Sequence, residues 1–197
     1  MSTLTLTKTY NEPDFNIKEI LRYAACQSDD GEISVLVNEI ISEVRKKLVY
    51  KVCFQEFPVL IKNDVSDFES FNIKSKNLAD NLKDCKSVII FAATTGIELD
   101  RLIAKYSVIS PTKALILDAI GTERIESLCD IFCKDIAEKK NATLKPRFSS
   151  GYGDLPLETQ KTIFNLLDCS KNIGLSLNDS LLMSPSKSVT AFVGVKK

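Results

Sequence analysis

One loop near the C-terminus carries residue types that could bind a small charged ligand. It comprises residues 146–158, PRFSSGYGDLPLE. Arg147 offers a planar fork of hydrogen-bond donors that suits a carboxylate. Tyr152 supplies a ring face and a hydroxyl, and Gly151 and Gly153 on either side of it let the backbone approach a ligand closely. The loop suits a ligand with a carboxylate and a flat or cationic part, such as an amino-acid nucleoside, although an arginine beside a Gly-Tyr-Gly turn is also typical of a surface ion pair.

The composition excludes several kinds of chemistry. The 197 residues include no histidine, which rules out Ser-His-Asp and Cys-His catalysis, HExxH zinc sites and axial histidine ligation of a haem or a cobalt by this chain. The 26 basic and 26 acidic side chains balance, whereas a nucleic-acid-binding protein normally has a basic excess. No apolar run approaches the ~18 residues of a membrane span. We therefore expect no metal site and neither nucleic acid nor membrane as a partner.

The six cysteines predict reduced thiols rather than disulfides or a metal cluster. None forms a CxxC pair, and Cys129 and Cys133, four residues apart, are the only close pair. Two thiols do not complete a tetrahedral site, so both are expected to be small core residues. The N-terminal sequence has no basic stretch followed by an apolar run, so we expect no secretory signal and a cytoplasmic location.

Hydrophobic periodicity indicates which elements position the loop, and it predicts mixed helices and strands without repeats. Apolar residues three and four apart predict helices, whereas alternating or continuous β-branched runs predict strands. The run at 86–93 suits a strand covered on both faces. Gly121 interrupts the longest helix, so we expect a neighbour to pack closely there. Predicted helices span residues 16–24, 32–48, 75–85, 97–106, 110–140 and 157–169, and predicted strands span 49–59, 86–93, 175–182 and 187–195.

The loop and its flanking segments resemble one known family. Arg147 opens an RxxxGY motif, which is followed by GDLPLE, IFNLLD and IGLSLNDSLLMSPSKSVTAFVG. This succession resembles the activation domain of cobalamin-dependent methionine synthase, and more closely the stand-alone bacterial proteins built from that domain alone. EILRY at 19–23, FAATTGIELDRLI at 91–103 and KALILDAIGTERIESLCD at 113–130 are similar to the same proteins. The resemblance covers most of residues 16–195.

The resemblance implies both a fold and a function. The expected fold is α+β, a single domain at residues 16–197 with a mixed or antiparallel sheet and long packed helices, after an N-terminal extension at 1–15. The implied function is that of a methyltransferase component, which binds S-adenosylmethionine and presents its methyl group for reductive methylation of cob(II)alamin. The expected partner is a cobalamin-binding methionine synthase without its own activation domain. Cobalamin is expected on that partner only, and a flavodoxin-like protein is expected to donate the electron.

Site residues are carried over from the family by motif. Arg147 would hold the methionyl carboxylate, the backbone at Ser149 and Gly151 would line the ligand, and Tyr152 would pack on it. The reaction is a direct displacement at carbon, with reduced cobalt as nucleophile and a thioether as leaving group. No general base is required, so no catalytic residue is expected in this chain.

Other family positions are harder to place. The acidic partner of the ligand is open among Asp118, Glu123 and Glu126 in the predicted long helix. The N-terminal region shows no counterpart of the family's acidic ligand residue, and the sequence stops at Lys197, before the aromatic pair that larger synthase domains place near the ligand. We expect that part of the site to be missing, weaker or supplied by a partner. Residues assigned to packing are Met183, Pro185 and Ser188.

The sequence is also compatible with two other functions. The chain could be a non-catalytic interaction or regulatory module for a corrinoid protein. It could also activate a different corrinoid methyltransferase, which would keep the chemistry and change the partner.

Overall fold

Helices and strands are interspersed along the chain in the computed structural model, which describes residues 4–26 and 31–196. The α-helices are α1 (Ile17–Tyr23), α2 (Glu32–Val44), α3 (Lys76–Leu82), α4 (Glu98–Ile109), α5 (Pro111–Lys140), α6 (Thr159–Leu167) and α7 (Cys169–Ile173), with a short 3-10 helix at Arg45–Lys47. The strands are β1 (Leu6–Thr9), β2 (Lys51–Pro58), β3 (Leu60–Lys62), β4 (Val65–Asp67), β5 (Asn72–Lys74), β6 (Ser87–Thr94), β7 (Thr143–Leu144), β8 (Ser176–Leu177), β9 (Met183–Ser184) and β10 (Ser188–Lys196).

The main sheet has five antiparallel strands in the order β1-β2-β6-β10-β7. At its centre, β6 pairs with β2 and β10, and seven of its eight residues are buried. Successive side chains of a strand point to opposite faces, and helices cover both faces here. The C-terminal half of α5 packs on one face, and α3, α6 and α7 pack on the other. The predicted α+β fold, its antiparallel sheet and the doubly covered strand at 86–93 are therefore confirmed.

The long helix α5 connects the N-terminal helices to the main sheet. Its 30 residues span about 45 Å at ~1.5 Å per residue. The N-terminal half packs against α1, α2 and α4, and the C-terminal half lies on the sheet. A Cβ at Gly121 would lie 2.7 Å from Cγ of Lys187. The expected close packing at this glycine is therefore confirmed.

Two of the attachments between the N-terminal segment and the rest of the molecule are a strand pairing and a set of buried hydrogen bonds. β1 pairs with β2 at the edge of the main sheet. Further along, the guanidinium of Arg124 on α5 donates to the backbone carbonyls of Pro13 and Asp14 and lies 3.8 Å from the ring centre of Phe15. Within the segment predicted as an extension, the described residues thus include one strand of the main sheet.

The structure differs from the predicted elements in several places, and the short strands β1, β7 and β9 are among the elements that no sequence pattern predicted. A small antiparallel sheet, β3-β4-β5, fills the stretch between β2 and α3; its strands have only three residues each, too few for a periodic pattern to appear. The predicted strand at 175–182 is reduced to β8, two residues paired with β9. The predicted helix at 157–169 is divided at Asp168, whose φ of +46° separates α6 from α7.

The two cysteines that are close in sequence lie in the core, as predicted. All six are free, and Cys53, Cys129 and Cys169 are buried. Cys129 lies in the cluster between α5 and the sheet, with Cys133 partly buried against it, so both are core residues. In the described ranges, no group of three or more cysteine, aspartate or glutamate residues could hold a metal ion. No helix within those ranges has the length and apolar character needed to cross a membrane.

Candidate functional site

The loop that follows β7 is fixed alongside β10. Phe148 donates its N–H to the carbonyl of Phe192 (3.0 Å) and accepts from the N–H of the same residue (2.8 Å). The chain then reverses, because the amide of Gly151 donates to the carbonyl of Leu155 (2.9 Å) and the amide of Leu155 donates to that of Tyr152 (3.0 Å). Gly151 has a φ of +88°, a conformation that favours glycine. The motif thus forms a defined turn against the sheet.

Asp154 fastens the same loop to the start of α3. Its carboxylate accepts hydrogen bonds from the hydroxyl of Ser75 and from the backbone N–H groups of Lys76 (2.7 Å) and Asn77 (3.1 Å). Gly153 permits this approach, since a Cβ there would lie 2.9 Å from Cγ of Asn77. The Ser75 hydroxyl, and after it the two backbone donors, stabilise the charged form and lower the pKa of Asp154.

The anchoring of the loop by Asp154 predicts a specific pH dependence of stability. A carboxyl whose pKa is lower in the folded than in the unfolded chain stabilises the fold above the unfolded value of about 3.9, and this contribution is lost as the pH falls through the folded pKa. Asp154→Asn should therefore unfold at a lower urea concentration than the wild type at pH 6, and the two midpoints should converge well below pH 4. A difference that persists unchanged at low pH would contradict the assignment.

Arg147 reaches from the loop to α5 and holds two carboxylates. Its Nη2 lies 2.7 Å from Oε2 of Glu126, and its Nη1 lies 2.5 Å from Oδ1 of Asp130. These acids are four residues apart and share one helix face. Burial alone would lower the pKa of Arg147, but the hydrogen bond to Asp130 and the attraction of both carboxylates outweigh it, so that the pKa lies above its ordinary value. The loop therefore presents a permanent cation clamped to α5.

A cleft of about 410 Å³ opens beside this ion pair. Its volume falls in the range of ~300–1,000 Å³ that is typical of small-molecule sites. The wall is formed by α5, the loop, α6, β9 and β10, and Arg147 and Glu126 are the charged members of the described lining. The lining residues are Glu126, Arg147, Phe148, Ser149, Ser150, Tyr152, Gln160, Met183, Ser188, Val189 and Thr190.

Three of the lining residues bury polar oxygens that have no hydrogen-bond partner among the described residues. They are Oγ of Ser150, Oε1 of Gln160 and Oγ1 of Thr190, in side chains that are at most 7% exposed. An unsatisfied buried polar atom costs about 1–3 kcal/mol, and such atoms are uncommon in native proteins. Three of them around one cleft indicate a site whose polar groups a ligand or water completes.

The structure brings three of the four predicted site residues together in the cleft wall. They are Arg147, Ser149 and Tyr152. Tyr152 is 68% exposed, so its ring lies at the mouth of the cleft. Gly151 lies outside the described lining, and its amide is bonded to the carbonyl of Leu155. Its contribution in this structure is the turn that carries Tyr152.

The three acidic candidates on α5 occupy different environments. Asp118 pairs with Lys187 at 2.7 Å, and Glu123 is buried in an ion pair with Arg124. Glu126 alone of the three lines the cleft. Among the acids considered, the geometry therefore favours Glu126 as the partner of a bound ligand.

Several lining residues were not predicted as site residues. Met183 and Ser188 were assigned to packing, yet both line the cleft. Pro185, which lies between them in the sequence, is buried and is not part of the described lining. Gln160 and Thr190 carried no signal in the sequence, because their importance depends on burial. Asp130, which pairs with Arg147 from outside the described lining, did carry a signal, since it lies four residues after Glu126 and therefore on the same helix face.

These elements define an α+β domain with a small cleft between an arginine-bearing loop and an acidic face of α5. The sequence matches the family described as vitamin B12 dependent methionine synthase, activation domain, over residues 3–197. The chain belongs to this family, and the resemblance inferred from its motifs is confirmed.

A solved structure shows the same fold. It is described as the crystal structure of the MetH reactivation domain bound to AdoHcy, and it superposes with a TM-score of 0.70 at 15% sequence identity. The match covers 98% of this chain and 78% of that one. Among curated proteins, none matches the sequence significantly.

Proposed function

We propose that this chain binds S-adenosylmethionine in the cleft beside Arg147. The chain presents the methyl group of this ligand to a cobalamin that is held by a partner methionine synthase and has been oxidised to the Co(II) form. One observation carries the proposal: the arginine of the RxxxGY motif lies in a cleft wall together with the carboxylate of Glu126. The similar fold described as bound to AdoHcy, S-adenosylhomocysteine, supports a ligand of this type. Membership of the activation-domain family supports the reaction.

The cleft suits each part of this ligand. The α-carboxylate would pair with the fork of Arg147, and the ammonium group with Glu126. The backbone at Ser149 would lie along the ligand, and the ring of Tyr152 at the mouth would pack on it. The nucleoside has hydroxyl and amino groups that would donate hydrogen bonds to the buried oxygens of Ser150, Gln160 and Thr190.

The proposed reaction requires only that this chain position the methyl group of its ligand. One electron from a flavodoxin-like donor reduces Co(II) to Co(I); a carbon–cobalt bond then forms as the carbon–sulfur bond breaks, and its electron pair leaves with the thioether. No proton moves, so a chain without histidine can perform this role. What the loop and cleft supply is orientation of the methyl group and exclusion of water.

The partner in this proposal is a cytoplasmic methionine synthase that lacks its own activation domain and holds the cobalamin. The chain itself contains no histidine to act as an axial ligand. The corrinoid must therefore approach the mouth of the cleft from outside, where Tyr152 is exposed.

The direct test is reactivation under anaerobic conditions. The Co(II) form of a methionine synthase without an activation domain is mixed with this chain, S-adenosylmethionine and reduced flavodoxin, and the Co(II) absorbance is followed. We expect the absorbance to disappear and methylcobalamin to form only in the complete mixture. If Co(II) persists while a full-length synthase recovers under the same conditions, reactivation of that partner is excluded, and calorimetry with S-adenosylhomocysteine then decides whether ligand binding fails as well.

A further inference from the structure

The ion pairs at the cleft leave an excess of one negative charge. Among the described residues, Arg147 is the single cation that pairs with both Glu126 and Asp130, so the three groups together carry a charge of about −1. The Arg147 side chain is 26% exposed, whereas the side chains of Glu126 and Asp130 are 44% and 72% exposed, so water screens the charge of Asp130 more than that of Arg147. In the described wall of the cleft, no charged residue besides Arg147 and Glu126 offsets the excess.

The neighbouring acidic residues on α1 and α5 do not change this charge balance. A second hollow of about 270 Å³ adjoins the cleft at Glu126, and its lining includes Glu19, Glu123 and Asp130. Glu19 is paired with an arginine of its own helix, and Glu123 is paired with the neighbouring Arg124. These two acids are therefore neutralised locally. The excess resides on the pair that shares Arg147.

We propose that Asp130 makes the cleft select the positively charged sulfonium ligand over the neutral thioether. The proposal rests on the proposed function. S-adenosylmethionine carries one positive charge more than S-adenosylhomocysteine, and this charge lies on the sulfur that loses the methyl group. A carboxylate that is not itself needed to hold the amino-acid end stabilises the charged form and leaves the neutral form almost unaffected. Asp130 is 72% exposed, so the dielectric constant around it is close to that of water, and for charges about 4–5 Å apart Coulomb's law then gives a preference of about fivefold.

Such a preference has a functional consequence. The methyl donor is retained until its charge is lost in the transfer, and the neutral product is then bound less tightly. Asp130 would thereby favour release of the product, although it lies outside the described wall of the cleft. It is a specificity-determining residue and takes no part in bond formation.

Calorimetric titrations at low ionic strength test this assignment. Wild type and Asp130→Asn are titrated with S-adenosylmethionine, with S-adenosylhomocysteine and with sinefungin, in which an amine-bearing carbon replaces the sulfonium and keeps the positive charge. We expect the wild type to prefer both cationic ligands over S-adenosylhomocysteine, and Asp130→Asn to reduce this ratio by about fivefold. Asp130→Glu, which keeps the charge, should preserve the ratio. Raising the salt concentration should shrink the wild-type preference.

The matched control is Asp118→Asn, which removes the same charge from the same helix. Asp118 lies twelve residues earlier, about 18 Å along α5, and is paired with Lys187, so the ratio should not change. If Asp130→Asn weakens all three ligands equally, or leaves the ratio as it was, Asp130 only supports Arg147 and the inference is wrong. If the wild type binds none of them, the proposed function fails together with the inference. Thermal unfolding checks that each variant is folded.

Discussion

Replacing Arg147 by alanine is expected to weaken the binding of S-adenosylmethionine by roughly 30-fold to 150-fold, an effect of about 2–3 kcal/mol. The reason is the loss of the only cation in the described wall of the cleft, which leaves the carboxylate of the ligand opposite the carboxylate of Glu126. The fork geometry adds to the effect of the charge, because parallel N–H groups match the two oxygens of a carboxylate. Calorimetric titration of the folded variant gives the change in Kd directly.

Two comparisons separate ligand binding from a structural role of Arg147. Arg147→Lys keeps the charge and loses the fork, so its affinity should lie between those of wild type and alanine variant. The analogue 5′-methylthioadenosine has no carboxylate, and its affinity should change only slightly in either variant. Equal losses for the two ligands would mean that Arg147 maintains the loop through its ion pairs with Glu126 and Asp130, and the assignment as carboxylate receptor would be wrong.

The sequence predicts best those elements whose hydrophobic pattern is long and lies on one face, or whose residues are apolar throughout. The strand β6 shows a continuous apolar run because both of its faces are covered, and α5 shows helical periodicity through most of its 30 residues. The small sheet β3-β4-β5 could not be predicted in this way. It is stabilised by aromatic contacts between residues distant in sequence, such as Phe57 with Phe71 and Phe68 with Phe192.

The candidate site was predictable to the extent that its residues lie in one segment. The loop is visible because arginine, tyrosine and glycines crowd into a few positions. The choice of Glu126 among the three acids of α5 depends on the position of Arg147 in the folded structure, because Arg147 belongs to a different part of the chain. Likewise, Gln160 and Thr190 matter because burial leaves their oxygens without described partners. Neither pairing nor burial across elements can be derived from local periodicity.

The largest effect on stability is expected at Arg124, the most voluminous of the fully buried side chains. Its guanidinium bonds the carboxylate of Glu123 and the carbonyls of Pro13 and Asp14, and packs on the ring of Phe15. Arg124→Met should lower the free energy of unfolding by about 3–5 kcal/mol, because it leaves a buried carboxylate and two carbonyls without their donor. Total stabilities are only about 5–15 kcal/mol, so urea unfolding will show the change clearly.

The double variant Glu123→Gln with Arg124→Met distinguishes the unpaired charge from the lost packing. Glutamine keeps an acceptor for the hydroxyl of Ser127 and the amide of Asn16, which both bond Glu123 in the wild type, but carries no charge that needs a counter-ion. The double variant should therefore be more stable than Arg124→Met alone, and still less stable than the wild type because the carbonyls of residues 13 and 14 remain without the guanidinium. If the two substitutions were simply additive, the buried charge would not be the main cause of the loss. In that case the attachment of the N-terminal segment to α5 through Arg124 would account for the stability instead.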